Sequence, residues 1–287
     1  MKFLEFFLLL FIVPFILGAY EDSLARRVML PMSSAAYSDV PQACVKNVFG
    51  SSGLFGRQVS VACDQISNDR CSGFTAVSHT DKAIIISFRG SDGFFQLTQE
   101  ATGEIFSKPI HFITGGAVSP YFYNAFNDVW SKGLKDSFLC LKNTYPQYKV
   151  FVTGHSLGGA MACLCAATIV KSGYVLSNNV VLYTMGEPRV GNDAFVEGFD
   201  KLKIEAYRII HSHDLVPHLP PEHLFGYKHH REEIFYNNDM TLGSSYKKCS
   251  GDDTNSCSSA NVDLSIIDHL HYFDTDVSNY GYNGCKA

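Results

Sequence analysis

Gly154-His155-Ser156-Leu157-Gly158 places a serine between two glycines, directly after the apolar run Val150-Phe151-Val152 and directly before helical text. Five residues of this kind carry little by themselves. Their setting carries more, because a nucleophilic serine on a sharp strand-to-helix turn exposes its Oγ and needs small neighbours where strand and helix crowd together. A serine hydroxyl is a weak nucleophile near neutral pH. It requires a base to take its proton and an acid to orient that base. On a strand–turn–helix scaffold the chain order should be Ser, then Asp or Glu, then His.

Asp214 satisfies the second place. It lies in Ser212-His213-Asp214-Leu215-Val216-Pro217, just past the apolar run Tyr207-Arg208-Ile209-Ile210, and Pro217 holds Val216 extended. Its plain alternative is a solvated loop aspartate or a helix cap. For the base, His269 and His271 both come late enough in the chain, and spacing alone does not separate them. His229 and His230 are weaker, since strand-like Ile234-Phe235-Tyr236 follows them.

The tetrahedral intermediate of acyl transfer also needs preorganised N–H donors. The residue after the nucleophile, Leu157, supplies one. Ser91, in Phe88-Arg89-Gly90-Ser91 after an early buried strand, is the expected source of the second.

These residues need a scaffold. Ala83-Ile84-Ile85-Ile86-Ser87-Phe88, Val150-Phe151-Val152, Val180-Val181-Leu182-Tyr183 and Tyr207-Arg208-Ile209-Ile210 are short continuous apolar runs, the pattern of strands buried on both faces. Between them, Phe122, Phe126, Val129, Trp130, Leu134, Phe138 and Leu141 recur at helical spacing. A second helix begins at Leu157 and is capped by Gly173, and a third begins at Asn192-Asp193. Alternating strands and helices predict a mostly parallel central sheet covered by helices on both faces, with active residues on loops at the strands' carboxyl ends.

Together these segments resemble the class 3 lipases, the fungal triacylglycerol lipase group of α/β-hydrolases. The matching text is Ser87-Phe88-Arg89-Gly90-Ser91, Val152 to Ala160, Pro188-Arg189-Val190-Gly191-Asn192, Asp214 to Pro220 and His269-Leu270-x-Tyr272-Phe273, over about residues 70–275. The resemblance implies Ser156 as nucleophile, Asp214 as acid and His269, rather than His271, as base, with Ser91 and Leu157 as oxyanion donors. It implies a lipid or other ester substrate, met at a lipid–water interface, and it favours esters over peptides, which the triad alone does not. It also implies a lid after the oxyanion residue, where Gly93, Phe94, Phe95 and Leu97 stand. Two departures border the expected cleft: Ser119-Pro120-Tyr121-Phe122, where many relatives carry His-Gly-Phe, and an insert from Thr241 to Ala260 with its own two cysteines. A soluble carboxylesterase, a phospholipase and a non-catalytic binding protein on the same fold remain the competing readings.

Residues 1–19 read as a secretory signal peptide: a positive start, an apolar run broken by Glu5 and Pro14, then Gly18-Ala19, with Tyr20 first in the mature chain. Residues 20–287 then form a single α/β-hydrolase domain of the lipase type. No later stretch is long and apolar enough to span a bilayer. Extracellular release is expected, with a lysosome-like compartment the alternative. Nine cysteines fit an oxidising compartment. Cys63 with Cys71, Cys249 with Cys257, and Cys44 with Cys285 are the expected bridges. Cys140, Cys163 and Cys165 read as buried thiols. A net charge of −5 without basic clusters argues against nucleic-acid binding. No cofactor is expected. No metal is expected either, since neither His211-x-His213-Asp214 nor His229-His230 fixes three convergent ligands. Nothing in the sequence sets an oligomeric state.

Overall fold

The computed structural model describes residues 19–62, 70–91, 107–222, 224–230, 232–251 and 256–286. Most of the expected signal peptide (residues 1–18) and the whole expected lid (Gly93, Phe94, Phe95 and Leu97) lie outside the described residues, as does Cys63.

Eight strands form the main sheet: β1 (Gly53–Ala62), β2 (Arg70–Ser78), β3 (Ala83–Phe88), β4 (Lys149–His155), β5 (Val180–Met185), β6 (Glu205–His211), β7 (Glu233–Tyr236) and β8 (Lys247–Cys249). They lie side by side in chain order. The five strands from β3 to β7 run parallel, and β1, β2 and β8 add antiparallel edges. Every residue of β3 and β5 is buried, as their unbroken apolar text requires.

Alternation along β3 divides the core. Ile84, Ile86 and Phe88 join one apolar cluster, and Ile85 joins the other on the opposite face. Each fully buried isoleucine contributes about 1.5–3 kcal/mol to folding.

The helices that cover the sheet are α1 (Leu30–Ala35), α2 (Gln42–Phe49), α3 (Pro120–Val129), α4 (Lys135–Thr144), α5 (Leu157–Lys171) and α6 (Asp193–Asp200). Two short ones follow, α7 (Ile266–Leu270) and α8 (Val277–Tyr282). Two helical turns, Asp22–Leu24 and Ala25–Met29, run straight into α1. This amino-terminal helical segment is tied to the sheet by Ser33 Oγ to Thr153 Oγ1 at 2.7 Å and by Ser87 Oγ donating to Met32 O at 2.9 Å. The apolar stripe from Phe122 to Leu141 is not one helix. A wide turn at Trp130–Leu134 separates α3 from α4, and Gly133 there has φ 125°, a value only glycine adopts cheaply. As expected, Asn192 caps α6 by accepting from Phe195 N at 3.1 Å, and Gly173 follows α5 at φ +74°.

Cys44 pairs with Cys285 and Cys249 with Cys257. Cys71 is also disulfide-bonded. Cys163 and Cys165 are buried, but Cys140 is exposed, contrary to expectation. Phe138 and Leu141 hold the buried face of α4, and Cys140, two residues beyond Phe138, turns about 200° away from it. Among the described residues no helix is long and apolar enough to cross a membrane.

Candidate active site

Ser156 sits at the junction of β4 and α5 with φ 60° and ψ −130°, a strained backbone for any residue but glycine. Its neighbours make that turn feasible. A Cβ on Gly154 would lie 2.1 Å from Gly158 O, and one on Gly158 would lie 2.3 Å from Phe88 O. The side chain is buried and its Oγ accepts and donates no hydrogen bond among the described residues. Leu157 opens α5, where the first N–H groups of a helix have no intrahelical acceptor.

The sheet register brings alongside the segment expected to supply the second oxyanion donor. Phe88 pairs with Gly154, so Arg89-Gly90-Ser91 leaves β3 beside His155 and Ser156. Gly90 packs so tightly that a Cβ there would meet Tyr37 Oη and His155 O. Ser91 lies half-buried just beyond.

Asp214 follows β6 and is wholly buried. Both its carboxylate oxygens lie 2.9 Å from His269 Nδ1, which therefore carries the proton and leaves Nε2 as the basic nitrogen. Tyr272 Oη donates to Asp214 Oδ2 at 2.6 Å, and Val216 N–H donates to Oδ1 at 2.8 Å. Burial alone would raise the carboxyl's pKa. The charge and hydrogen bond of His269, with Tyr272 and Val216, hold it below the ordinary aspartate value instead.

Two loops are laced together to make this pair. Ser265 N donates to His213 O at 2.7 Å, and Leu215 N donates to Ser265 O at 3.3 Å. Ser265 also caps α7, the short helix that carries His269, by accepting from Asp268 N at 3.1 Å.

Ser156 and the Asp214–His269 pair are neighbours. Ser156 N–H donates to Met185 O, and the next residue, Gly186, lies against the pair: a Cβ there would stand 2.7 Å from Asp214 Oδ2 and 2.8 Å from His269 Nδ1. From the other side, His155 stacks its ring on His269 with centroids 4.5 Å apart. His155 Nε2 donates to His269 O at 2.7 Å, so its Nδ1 accepts from Tyr37 Oη, also at 2.7 Å. Burial, then the neighbouring His269, lowers the pKa of His155 to about 3, so the ring stays neutral.

His271 points elsewhere, with Nδ1 on Ile267 O. His229 Nε2 donates to Pro217 O at 2.7 Å, and His211 Nδ1 to Asp268 O at 3.0 Å. Sequence reasoning gave no role to Tyr37, His155, Gly186 or Tyr272. Tyr272 and His155 both stand inside matched motifs, His155 at the variable place before the serine.

A mostly parallel sheet with a serine on a strained turn after its central strand, beside a buried aspartate–histidine pair, defines an α/β-hydrolase. Residues 85–224 match the class 3 lipase family. Over 93% of the chain and 83% of its partner's length, the sequence is 34% identical to lipase ZK262.3 of Caenorhabditis elegans. It is 36% identical to a Rhizomucor miehei lipase over 70% of the chain, but spans only 55% of that protein. It superposes with a TM-score of 0.73 on a triacylglycerol lipase described as having a serine protease triad at its catalytic centre, at 27% identity over 91% of this chain and 97% of the other. The chain belongs to the class 3 lipase family and is a carboxylic-ester hydrolase.

Proposed function

We propose that this protein is a secreted lipase that hydrolyses acylglycerol esters through Ser156, Asp214 and His269. His269 Nε2 takes the Ser156 Oγ proton as Oγ attacks the ester carbonyl. The oxyanion that forms is met by the N–H groups of Leu157 and Ser91. As the carbon–oxygen bond breaks, His269 returns the proton to the departing alcohol and leaves an acyl-serine. Water then repeats the sequence and frees the carboxylate. Asp214 stays ionised and stabilises the imidazolium.

The observation that carries this reading is the 2.9 Å contact of the Asp214 carboxylate with His269 Nδ1, beside an elbow serine whose hydroxyl has no hydrogen bond among the described residues. The substrate class is supported by the names of the relatives and by the segment around His269, which presents Val262, Ile267 and Leu270 to solvent, where an acyl chain or lipid surface would cover them. Secretion is supported by the sequence of residues 1–19 and by the disulfides.

Rates on a short soluble ester, a long-chain triacylglycerol emulsion and a phospholipid dispersion test the substrate. Preference for the emulsion is expected. Turnover of the soluble ester alone would replace this reading with a carboxylesterase, and preference for the phospholipid with a phospholipase.

A further inference from the structure

Away from Ser156, three side chains from distant parts of the sequence converge in the interior. Cys163 lies in the middle of α5, Glu187 two residues past β5, and His230 three residues before β7. Their exposures are 0%, 1% and 2%. The sulfur, a carboxylate oxygen and a ring nitrogen all lie within 4.8 Å of one another. His230 Nε2 is 3.2 Å from Glu187 Oε1 and bonds to Oε2 at 3.4 Å.

Glu187 is the residue that asks for an explanation. A carboxylate so deeply buried is costly unless fully matched. Its partners are the His230 ring and the Cys163 thiol, and its Oε1 lies 3.2 Å from His230 Nε2 without the angle of a hydrogen bond. The nearby Arg208 guanidinium pairs through Nη2 with Glu233 Oε2 at 3.4 Å and donates through Nε to His230 O at 2.9 Å, while its Nη1 has no hydrogen-bond partner among the described residues.

We propose that Cys163, Glu187 and His230 bind a zinc ion. One thiolate, one carboxylate and one neutral imidazole balance a divalent charge with nothing left over. Thiolate and imidazole together select zinc over the hard cations calcium and magnesium. Tetrahedral zinc bonds of about 2.0–2.3 Å set ligand atoms roughly 3.3–3.6 Å apart, close to the 3.2 Å between His230 Nε2 and Glu187 Oε1, and the remaining atoms close to that spacing from within 4.8 Å. His230 also lines a cavity of about 210 Å³ with Phe199, Asp200, Lys203, Ile204 and Glu232.

The site ties α5, the loop after β5 and the segment before β7 to a single point. Glu187 directly follows Gly186, so the ion steadies the loop on which the Asp214–His269 pair rests. Its role is structural, and it is independent of the chemistry proposed for Ser156.

Cobalt substitution tests the site without reference to activity. The full chain is stripped with a chelator and titrated with Co²⁺. One equivalent should bind with a thiolate-to-cobalt charge-transfer band in the near ultraviolet and four-coordinate bands in the visible, and Zn²⁺ should displace it. Cys163→Ser should abolish the charge-transfer band, and Cys165→Ser, altering the neighbouring buried thiol, should keep it. Zinc should raise the melting temperature of the wild-type chain and leave that of His230→Gln unmoved. A wild-type chain without the charge-transfer band overturns the proposal whether or not any variant folds. So does a band that survives Cys163→Ser.

Discussion

Tyr272 donates a 2.6 Å hydrogen bond to Asp214 Oδ2, and that carboxylate in turn holds His269 Nδ1 at 2.9 Å. The tyrosine is itself anchored by His211 N–H, 3.3 Å from its oxygen. The histidine's orientation is therefore set from the third residue beyond it in sequence, through an aspartate that lies 55 positions before it.

Tyr272→Phe should expose this dependence. A hydrogen bond to a charged group contributes about 1.5–3 kcal/mol, so the variant should melt lower by a corresponding amount. The Asp214 carboxyl is depressed in the folded protein, so its contribution is present above the unfolded pKa of about 3.9 and is lost as pH falls through the folded value. Removing Tyr272 brings the two values closer. Acid titration followed by circular dichroism should place the unfolding midpoint at higher pH in Tyr272→Phe than in the wild type.

His155 should contribute with the opposite charge type. On unfolding it takes a proton below about pH 6.5, its ordinary value. The folded ring stays neutral down to about 3. Stability should therefore decline as pH falls through that window, by up to about 1.4 kcal/mol per pH unit from this residue alone. Denaturant unfolding of His155→Gln between pH 6 and pH 4 should give a shallower slope than the wild type. Equal slopes would show that the ring does not remain neutral.

Gly186→Ala should uncouple folding from catalysis. The new methyl group would stand 2.7 Å from Asp214 Oδ2 at a residue with φ +58°. The strain should cost about 1–3 kcal/mol of stability. Displacing the Asp214–His269 pair by a fraction of an ångström should lower kcat by about 10²-fold, with little change in KM. Near wild-type kcat in a folded Gly186→Ala would contradict the placement of the pair.

Much of the fold is legible in the sequence. Continuous apolar runs such as Ala83 to Phe88 announce strands buried on both faces, because only a helix-covered parallel sheet hides every residue. The elbow at Ser156 and the choice of Asp214 rest on one local pattern and a chain order, whereas spacing leaves His269 and His271 open and only the family resemblance selects His269. What stayed hidden depends on convergence in space. Tyr37, in the turn after α1, meets His155 across 118 residues, and that turn carries no motif. Gly186 gives no sign in the sequence that its bare Cα faces two side chains. Cys140 is exposed although its neighbours are apolar, because residues adjacent in sequence share a helix but not a face. Likewise Gly133 breaks the stripe between Trp130 and Phe138 although the apolar spacing runs on through it.

The central claim is that Ser156 is the nucleophile. Intact-mass and peptide analysis after exposure to an alkyl phosphonate ester tests it most directly. The account predicts a single adduct on Ser156 in the wild-type chain and none in a folded Ser156→Ala. A label of equal yield in both proteins, or one located on another residue, would contradict it.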